Sequence, residues 1–347
     1  RCATRGTSWS VAVPGNRAQM HSLVIEAPEE TPKPDAVSTS VMRVARGDIE
    51  VASGECRVAV RRAGICGTDL QLLEGYAGFS GVPGHEFVGT VETAPPGDRH
   101  WIGQRVVGEI NVGCGECEWC RSGTANHCPT RTVLGIVGRA GAFASHLSLP
   151  AANFHAVPDT LTDEAAVLVE PTAAACEILA QVDIGPRATV AVVGDGRMAL
   201  LVGQVLRTTG ASVTVLGKHE RKLRVAQALG LAVARATDDI PRSSFDVTVD
   251  VTGRPAGLTR AMELVRPRGT VVMKSTFHGE TPVTLWPAIV DEITLIGSRC
   301  GPFGDAIALL ADGQVATAPL LAASYALDDF EAAFAAARTE LKVMLRP

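Results

Sequence analysis

Thr189-Val-Ala-Val-Val193 runs directly into Gly194-Asp195-Gly196-Arg197-Met198-Ala199, and a helix-forming run follows to about Thr208. Five apolar or β-branched residues read as a buried strand, and the two glycines read as a tight turn into a helix. Gly194 permits the turn, Gly196 lets the backbone approach a pyrophosphate, and Ala199 is small enough for the helix to pack on its sheet. The helix start, at Arg197 and Met198, offers free N–H groups and a positive dipole end to phosphate. Asp195 is the odd member, because a carboxylate beside phosphate is repulsive. Its side chain is expected to point away, with Arg197 compensating. The alternative reading is an ordinary glycine turn.

Outward from this loop the same alternation continues. Strands are expected at 212–216, 246–250, 270–274 and 293–297, with helices near 197–208, 220–229 and 256–265. Strand-helix alternation at this spacing predicts a doubly wound parallel sheet. Upstream, from about residue 22 to 150, the apolar segments are short, β-branched and broken by Gly and Pro, which reads as a small β-barrel. After residue 303 an amphipathic helix near 328–337 and a last strand at 341–345 are expected to return to that first unit.

The end of the second strand bears on the choice of dinucleotide. An acid there reads the ribose 2′-hydroxyl of NAD. This chain has Gly217, followed by Lys218, His219, Glu220, Arg221 and Lys222. Open space beside Lys218, Arg221 and Lys222 suits a 2′-phosphate by charge, so NADP is expected over NAD. A solvated helix start is the plain alternative.

Two groups of metal-ligand residues stand out. Cys114-x2-Cys117-x2-Cys120-x7-Cys128 supplies four thiolates in a loop that Gly113 and Gly115 allow to curl. Four protein ligands leave no open position, so this zinc site is expected to be structural; disulfides or a redox pair are the competing readings. His127 is expected at the surface and not as a ligand. The second group is dispersed: Gly64-Ile-Cys66-Gly-Thr68-Asp69, Gly84-His85-Glu86 and Glu170-Pro171. One thiolate, one imidazole and one or two carboxylates can hold zinc with a position left for substrate. Zinc at such a site favours the alkoxide form of a bound alcohol, which expels hydride more readily. Thr68 is placed to relay the proton, and Asp69 to orient His85 through its second ring nitrogen. Taken singly, each residue also reads as ordinary core or surface.

With these motifs in order, the chain resembles the zinc-containing alcohol dehydrogenases of the medium-chain dehydrogenase/reductase superfamily. The likeness runs from about Met20 to Pro347, including Lys342-Val-Met-Leu-Arg-Pro347, with a texture closest to the polyol and threonine dehydrogenase-like branch. It implies a GroES-like catalytic domain from residues 20–172 and 303–347, with a Rossmann domain at 173–302 and the active site between them. It also implies Cys66, His85 and Glu170 as catalytic zinc ligands and Glu86 as an acid that enters or leaves the metal sphere. Thr68 would pass the substrate proton toward the cofactor ribose. A homodimer or homotetramer pairing through 292–298 is implied as well. Many relatives carry a histidine five residues after the zinc-binding cysteine; here Gln71, which cannot titrate, stands there. Tyr76 and Phe79 are candidates for the pocket lining or for the core.

The expected reaction is hydride transfer between an alcohol or polyol and NAD(P), with a small alcohol, polyol or carbonyl compound as substrate. A zinc-free quinone or enoyl reductase and a non-catalytic subunit are the alternatives. The composition is ordinary, 46% hydrophobic and 20% charged with a net charge of −5, and 347 residues are enough for two domains of common size. That balance provides no basic footprint for nucleic acid, and no apolar run reaches membrane-spanning length. Cys2, Cys56, Cys176 and Cys300 lie apart and are expected to be buried thiols. Residues 1–19 lack Asp and Glu and carry Arg1, Arg5 and Arg17. They read either as the remnant of a transit peptide or as extra sequence before a start at Met20. A cytoplasmic location, or an organellar matrix or stroma, follows from one or the other.

Overall fold

The computed structural model describes residues 21–26, 41–47, 49–276 and 282–347. The leader expected at 1–19 and the thiol of Cys2 lie outside the described residues.

Among the described residues, six strands form the sheet that the glycine loop predicts: β1 (Thr189–Val193), β2 (Ser212–Gly217), β3 (Ala232–Arg235), β4 (Phe245–Asp250), β5 (Val265–Met273) and β6 (Thr294–Gly297). All are parallel, in the order β3-β2-β1-β4-β5-β6. The chain reverses direction across the sheet between β1 and β4, and the carboxyl ends of these strands open the crevice where dinucleotides bind in such sheets. β1 is central, and Val190, Ala191 and Val192 are fully buried, as a strand covered by helices on both faces requires. The helix Arg197–Arg207 buries Ala199 to Leu206 in one unbroken run against the sheet and the helix Val169–Gln181. β3 was not expected from sequence. Its four residues, Ala232-Val-Ala-Arg235, lie at the sheet edge and alternate too briefly to register as a strand.

The second body is a mostly antiparallel sheet. Its strands run Phe154–Ala156, Arg105–Gly108, Glu86–Thr93, Cys56–Gly64, Lys342–Arg346 and Leu321–Ala326, with His146–Leu149 also on Cys56–Gly64. The last strand thus returns from the far end of the chain to lie beside Ala63 and Gly64. Phe143 and Phe334 pack edge to face in this core, 6.0 Å between ring centroids, tying the C-terminal helix Phe330–Ala337 to the barrel. Val169–Gln181 passes between the two bodies; its small residues Ala173 and Ala175 are fully buried. The architecture is the expected two-domain α/β one. No helix among the described residues is long and apolar enough to cross a membrane.

Candidate active site and metal centres

The four-cysteine loop is the simpler site. Cys114, Cys117, Cys120 and Cys128 place their sulfurs within 4.8 Å of one another. Thiolates bound to one tetrahedral zinc at about 2.3 Å stand roughly 3.8 Å apart. The separations of 3.5 Å from Cys117 to Cys120 and 4.0 Å from Cys114 to Cys120 bracket that value. A Cβ on Gly113 would fall 2.6 Å from the Cys120 sulfur, and Gly115 adopts φ +79°, so both glycines are needed for the curl. The Thr130 hydroxyl and the Cys114 amide hydrogen-bond the Cys128 sulfur and hold its pKa down at about 6, favouring the thiolate that zinc requires. The donor set and spacing fit zinc. His127 stacks at a tilt against Trp119, 5.8 Å between centroids, apart from that sulfur cluster.

The second site forms where the barrel sheet meets the crevice. Cys66 caps the short helix Gly67–Leu73, His85 precedes the strand Glu86–Thr93, and Glu86 is that strand's first residue. Their ligand atoms lie within 4.8 Å of one another. Asp69 holds the frame: its fully buried carboxylate accepts the Cys66 amide at 2.7 Å and the Gly84 amide at 3.3 Å. Its Oδ1 also lies 3.4 Å from His85 Nδ1, in the orienting place expected of it, although without good hydrogen-bond alignment. Burial works against a charged His85 imidazole, but the Asp69 carboxylate and the Cys66 sulfur outweigh it and raise the pKa well above the ordinary value. The Thr68 hydroxyl stands 3.8 Å from the Cys66 sulfur.

Glu170, in the first turn of Val169–Gln181, is not part of that close trio. Desolvation pushes its carboxyl up to about 7, Glu86 adds to the shift, and His85, Lys342 and Lys274 hold it back, so it faces the same charged cluster. Within the trio, Glu86 Oε2 pairs with Lys342, while its Oε1 is buried with no partner among the described residues. The trio, with Glu86 Oε1 buried and unpaired among the described residues and His85 Nδ1 turned to Asp69, fits a cation site.

Other placements differ from what sequence alone suggests. Arg197 does not stay with the glycine loop. Its Nη1 donates to the Leu341 carbonyl at 3.2 Å, and its Nη2 lies 3.6 Å from where a side chain on Gly67 would begin, so it crosses to the barrel. Met198 is half-buried at the same helix start. Gln71 Nε2 donates to the Thr276 carbonyl at 3.0 Å, another link across the crevice. Gly194 adopts φ +131°, and a Cβ on Gly196 would meet open space, as a phosphate-facing glycine should. Lys218 is exposed and Lys222 half-buried, whereas Arg221 is paired with Glu340 at 2.8 Å. Phe79 belongs to a small core with Ile25 and Leu72, and Tyr76 packs partly against it.

Sequence reasoning assigned no role to Lys274, just past β5, or to Lys342. Lys274 donates to the Ser298 hydroxyl at 3.1 Å and the Arg299 carbonyl at 3.0 Å, and desolvation lowers its pKa to about 8. A lysine closing the apolar run Val271-Val272-Met273 was the available signal. Cys56 and Cys176 are the buried thiols expected, pushed up to about 11 and about 12 by burial, and Cys300 is half-buried beside Asn111.

Comparison with known proteins agrees with this geometry. Residues 52–159 match the alcohol dehydrogenase GroES-like domain, and residues 198–312 match the zinc-binding dehydrogenase domain. An L-threonine 3-dehydrogenase of Streptomyces avermitilis is 32% identical over 310 residues, covering 82% of this chain and 89% of the relative. D-arabinitol dehydrogenase 1 of Uromyces fabae is 28% identical over 95% of this chain and 98% of its own. Among solved structures, an Escherichia coli CFT073 alcohol dehydrogenase complexed with NADH superposes with TM-score 0.82 at 25% identity, over 94% of this chain and 99% of its own. A Sinorhizobium meliloti 1021 protein assigned as a zinc-binding dehydrogenase, bound to NADP, also reaches 0.82 at 26% identity, over 95% and 100%. The chain belongs to the zinc-containing medium-chain dehydrogenase/reductase superfamily, in its polyol/threonine dehydrogenase-like branch. It has the fold of an NAD(P)-dependent oxidoreductase acting on CH–OH groups.

Proposed function

We propose that the chain is a zinc-dependent dehydrogenase that moves hydride between the CH–OH group of an alcohol or polyol and a nicotinamide dinucleotide. The observation that carries this reading is the convergence of Cys66, His85 and Glu86 where the barrel meets the crevice, with Glu170 facing them. Cys66 and His85, with Glu170 or Glu86, would hold the zinc, which would supply Lewis-acid polarisation of the substrate oxygen. Cys114, Cys117, Cys120 and Cys128 would hold a second, structural zinc.

The remaining work falls to the chain's own side chains. Asp69 fixes the Cys66 amide and steadies the His85 ring, so the ligand set is organised before metal arrives. The Thr68 hydroxyl, 3.8 Å from the Cys66 sulfur, would receive the substrate proton while passing its own on toward the cofactor ribose. Gln71 cannot carry that proton onward; its hydrogen bond to Thr276 instead helps hold the two domains in register. The loop from Gly194 to Met198 would seat the pyrophosphate on the start of the helix Arg197–Arg207. Residues 20–172 and 303–347 are assigned to catalysis, and 173–302 to the nucleotide. Exposed Leu285, Trp286, Ile289 and Val290 beside the edge strand β6 support pairing of two copies there, as a homodimer or within a homotetramer.

A spectrophotometric screen of alcohols, polyols, aldehydes and ketones with NAD and NADP, run beside Cys66→Ala, tests the reading. Activity on a CH–OH compound that Cys66→Ala abolishes is the expected result. Activity undiminished in that variant would remove the zinc mechanism.

A further inference from the structure

The strand β2 ends on Gly217, so the position that reads the adenosine ribose in this type of sheet carries no side chain. That space is nevertheless filled. A Cβ on Gly217 would fall 2.5 Å from Asp195 Cβ and 2.7 Å from its Oδ2. Asp195 comes from the turn after β1 and is 8% exposed. Its Oδ2 accepts the amide of Lys218 at 2.6 Å and the amide of His219 at 2.7 Å. The His219 ring nitrogen Nδ1 lies 3.0 Å from both carboxylate oxygens. Burial opposes ionisation of Asp195, but these bonds outweigh it and hold its pKa below the ordinary carboxylate value. Among the described residues Oδ1 receives only the imidazole contact, which leaves it acceptor capacity.

We propose that Asp195 supplies, from the β1 turn, the ribose-reading carboxylate that β2 lacks, so that the protein prefers a dinucleotide with a free 2′-hydroxyl to its 2′-phosphate. A hydroxyl can donate to Oδ1, whereas a phosphate there would meet a fixed anion in a partly desolvated place. The basic run that favours NADP by charge count is weaker than its composition suggests. Arg221 is turned to Glu340 and the Thr339 carbonyl, and Lys218 extends into solvent, where its charge is screened. The inference rests on the loop being a dinucleotide site. If Asp195 served only to tie the turn to β2, its loss would weaken both nucleotides alike.

Fluorescence titration of the full-length protein with NADH and NADPH separates these cases. Three proteins are compared: wild type, Asp195→Asn, and Asp195→Gly combined with Gly217→Asp, with thermal melts as a check on folding. The wild type should bind NADH about tenfold or more tighter than NADPH, and Asp195→Asn should move that ratio about tenfold toward NADPH. The double variant, which transfers the carboxylate to β2 and removes the Asp195 contact so that only the Leu223 side-chain tip, 2.8 Å from the new Cβ, must give way, should restore the NADH preference. Wild type binding NADPH as tightly as NADH, or Asp195→Asn lowering both affinities by one common factor, would overturn the proposal. Binding of neither nucleotide by the wild type would instead remove the dinucleotide reading itself, and the proposal with it.

Discussion

Lys342 and Glu86 form an ion pair in which the side chains are 0% and 1% exposed. The same ammonium donates to the Ile65 carbonyl at 3.3 Å, so one cation from the last strand braces the neighbours of both Cys66 and His85. Removing one partner of such a pair leaves an uncompensated buried charge and costs about 3–5 kcal/mol, whereas removing both costs much less. Lys342→Met should therefore lower stability in urea denaturation by about that amount, and adding Glu86→Gln should return most of it. A loss below about 1 kcal/mol for the single variant would mean the pair is solvated.

Asp69 has two backbone amides depending on it. Asp69→Ala would strand the amides of Cys66 and Gly84, each at about 1–3 kcal/mol, and free the His85 ring. The expected outcome is a lower melting temperature together with loss of the metal at Cys66 and His85, read by elemental analysis. Full metal content in the variant would show that the frame does not need this carboxylate.

The two metal centres should separate by stability. Wild type should contain about two zinc ions per chain, and Cys66→Ala and Cys117→Ser about one each. The melting temperature should fall sharply only in Cys117→Ser, because closed four-thiolate sites contribute folding energy directly. Equal melting in the two variants would contradict the division into a structural and a catalytic site.

Asp246 links three strands by accepting the amide and hydroxyl of Thr189 at 2.7 and 2.8 Å and the Arg266 guanidinium at 2.6 Å. Those bonds hold its pKa at about 2, against an ordinary 3.8. A lowered carboxylate pKa stabilises the fold above the unfolded value, and that contribution disappears as pH falls through the folded one. Asp246→Asn should thus cost about 2 kcal/mol at neutral pH. Denaturation curves of the two proteins should converge between about pH 4 and pH 2. A difference that stayed constant down to pH 2 would place the effect elsewhere than in the charge.

Much of the fold was legible because its signals are local. The strand into Gly194 and Gly196 was placed to the residue, and β2 and β4 to within one, since an apolar run closed by a turn needs no distant partner to be recognised. β3 escaped because four residues at a sheet edge carry almost no pattern. β5 proved longer at its start, where Val265 to Gly269 continues the strand through exposed Arg266 and Arg268. Arg197 was legible as a cation beside a glycine loop, but not as a bridge to Leu341, which lies 144 positions away.

The sequence by itself determined the four-thiolate loop, the glycine turn and the parallel sheet, because each is written in residues a few positions apart and follows from backbone freedom and side-chain period. Tertiary structure alone decided that Glu170 stands outside the close trio of Cys66, His85 and Glu86, that Lys342 claims Glu86, and that Asp195 occupies the space left by Gly217. Those outcomes depend on distances between segments separated by tens to hundreds of residues, and charges brought together in a desolvated cleft act through proximity that no linear spacing records.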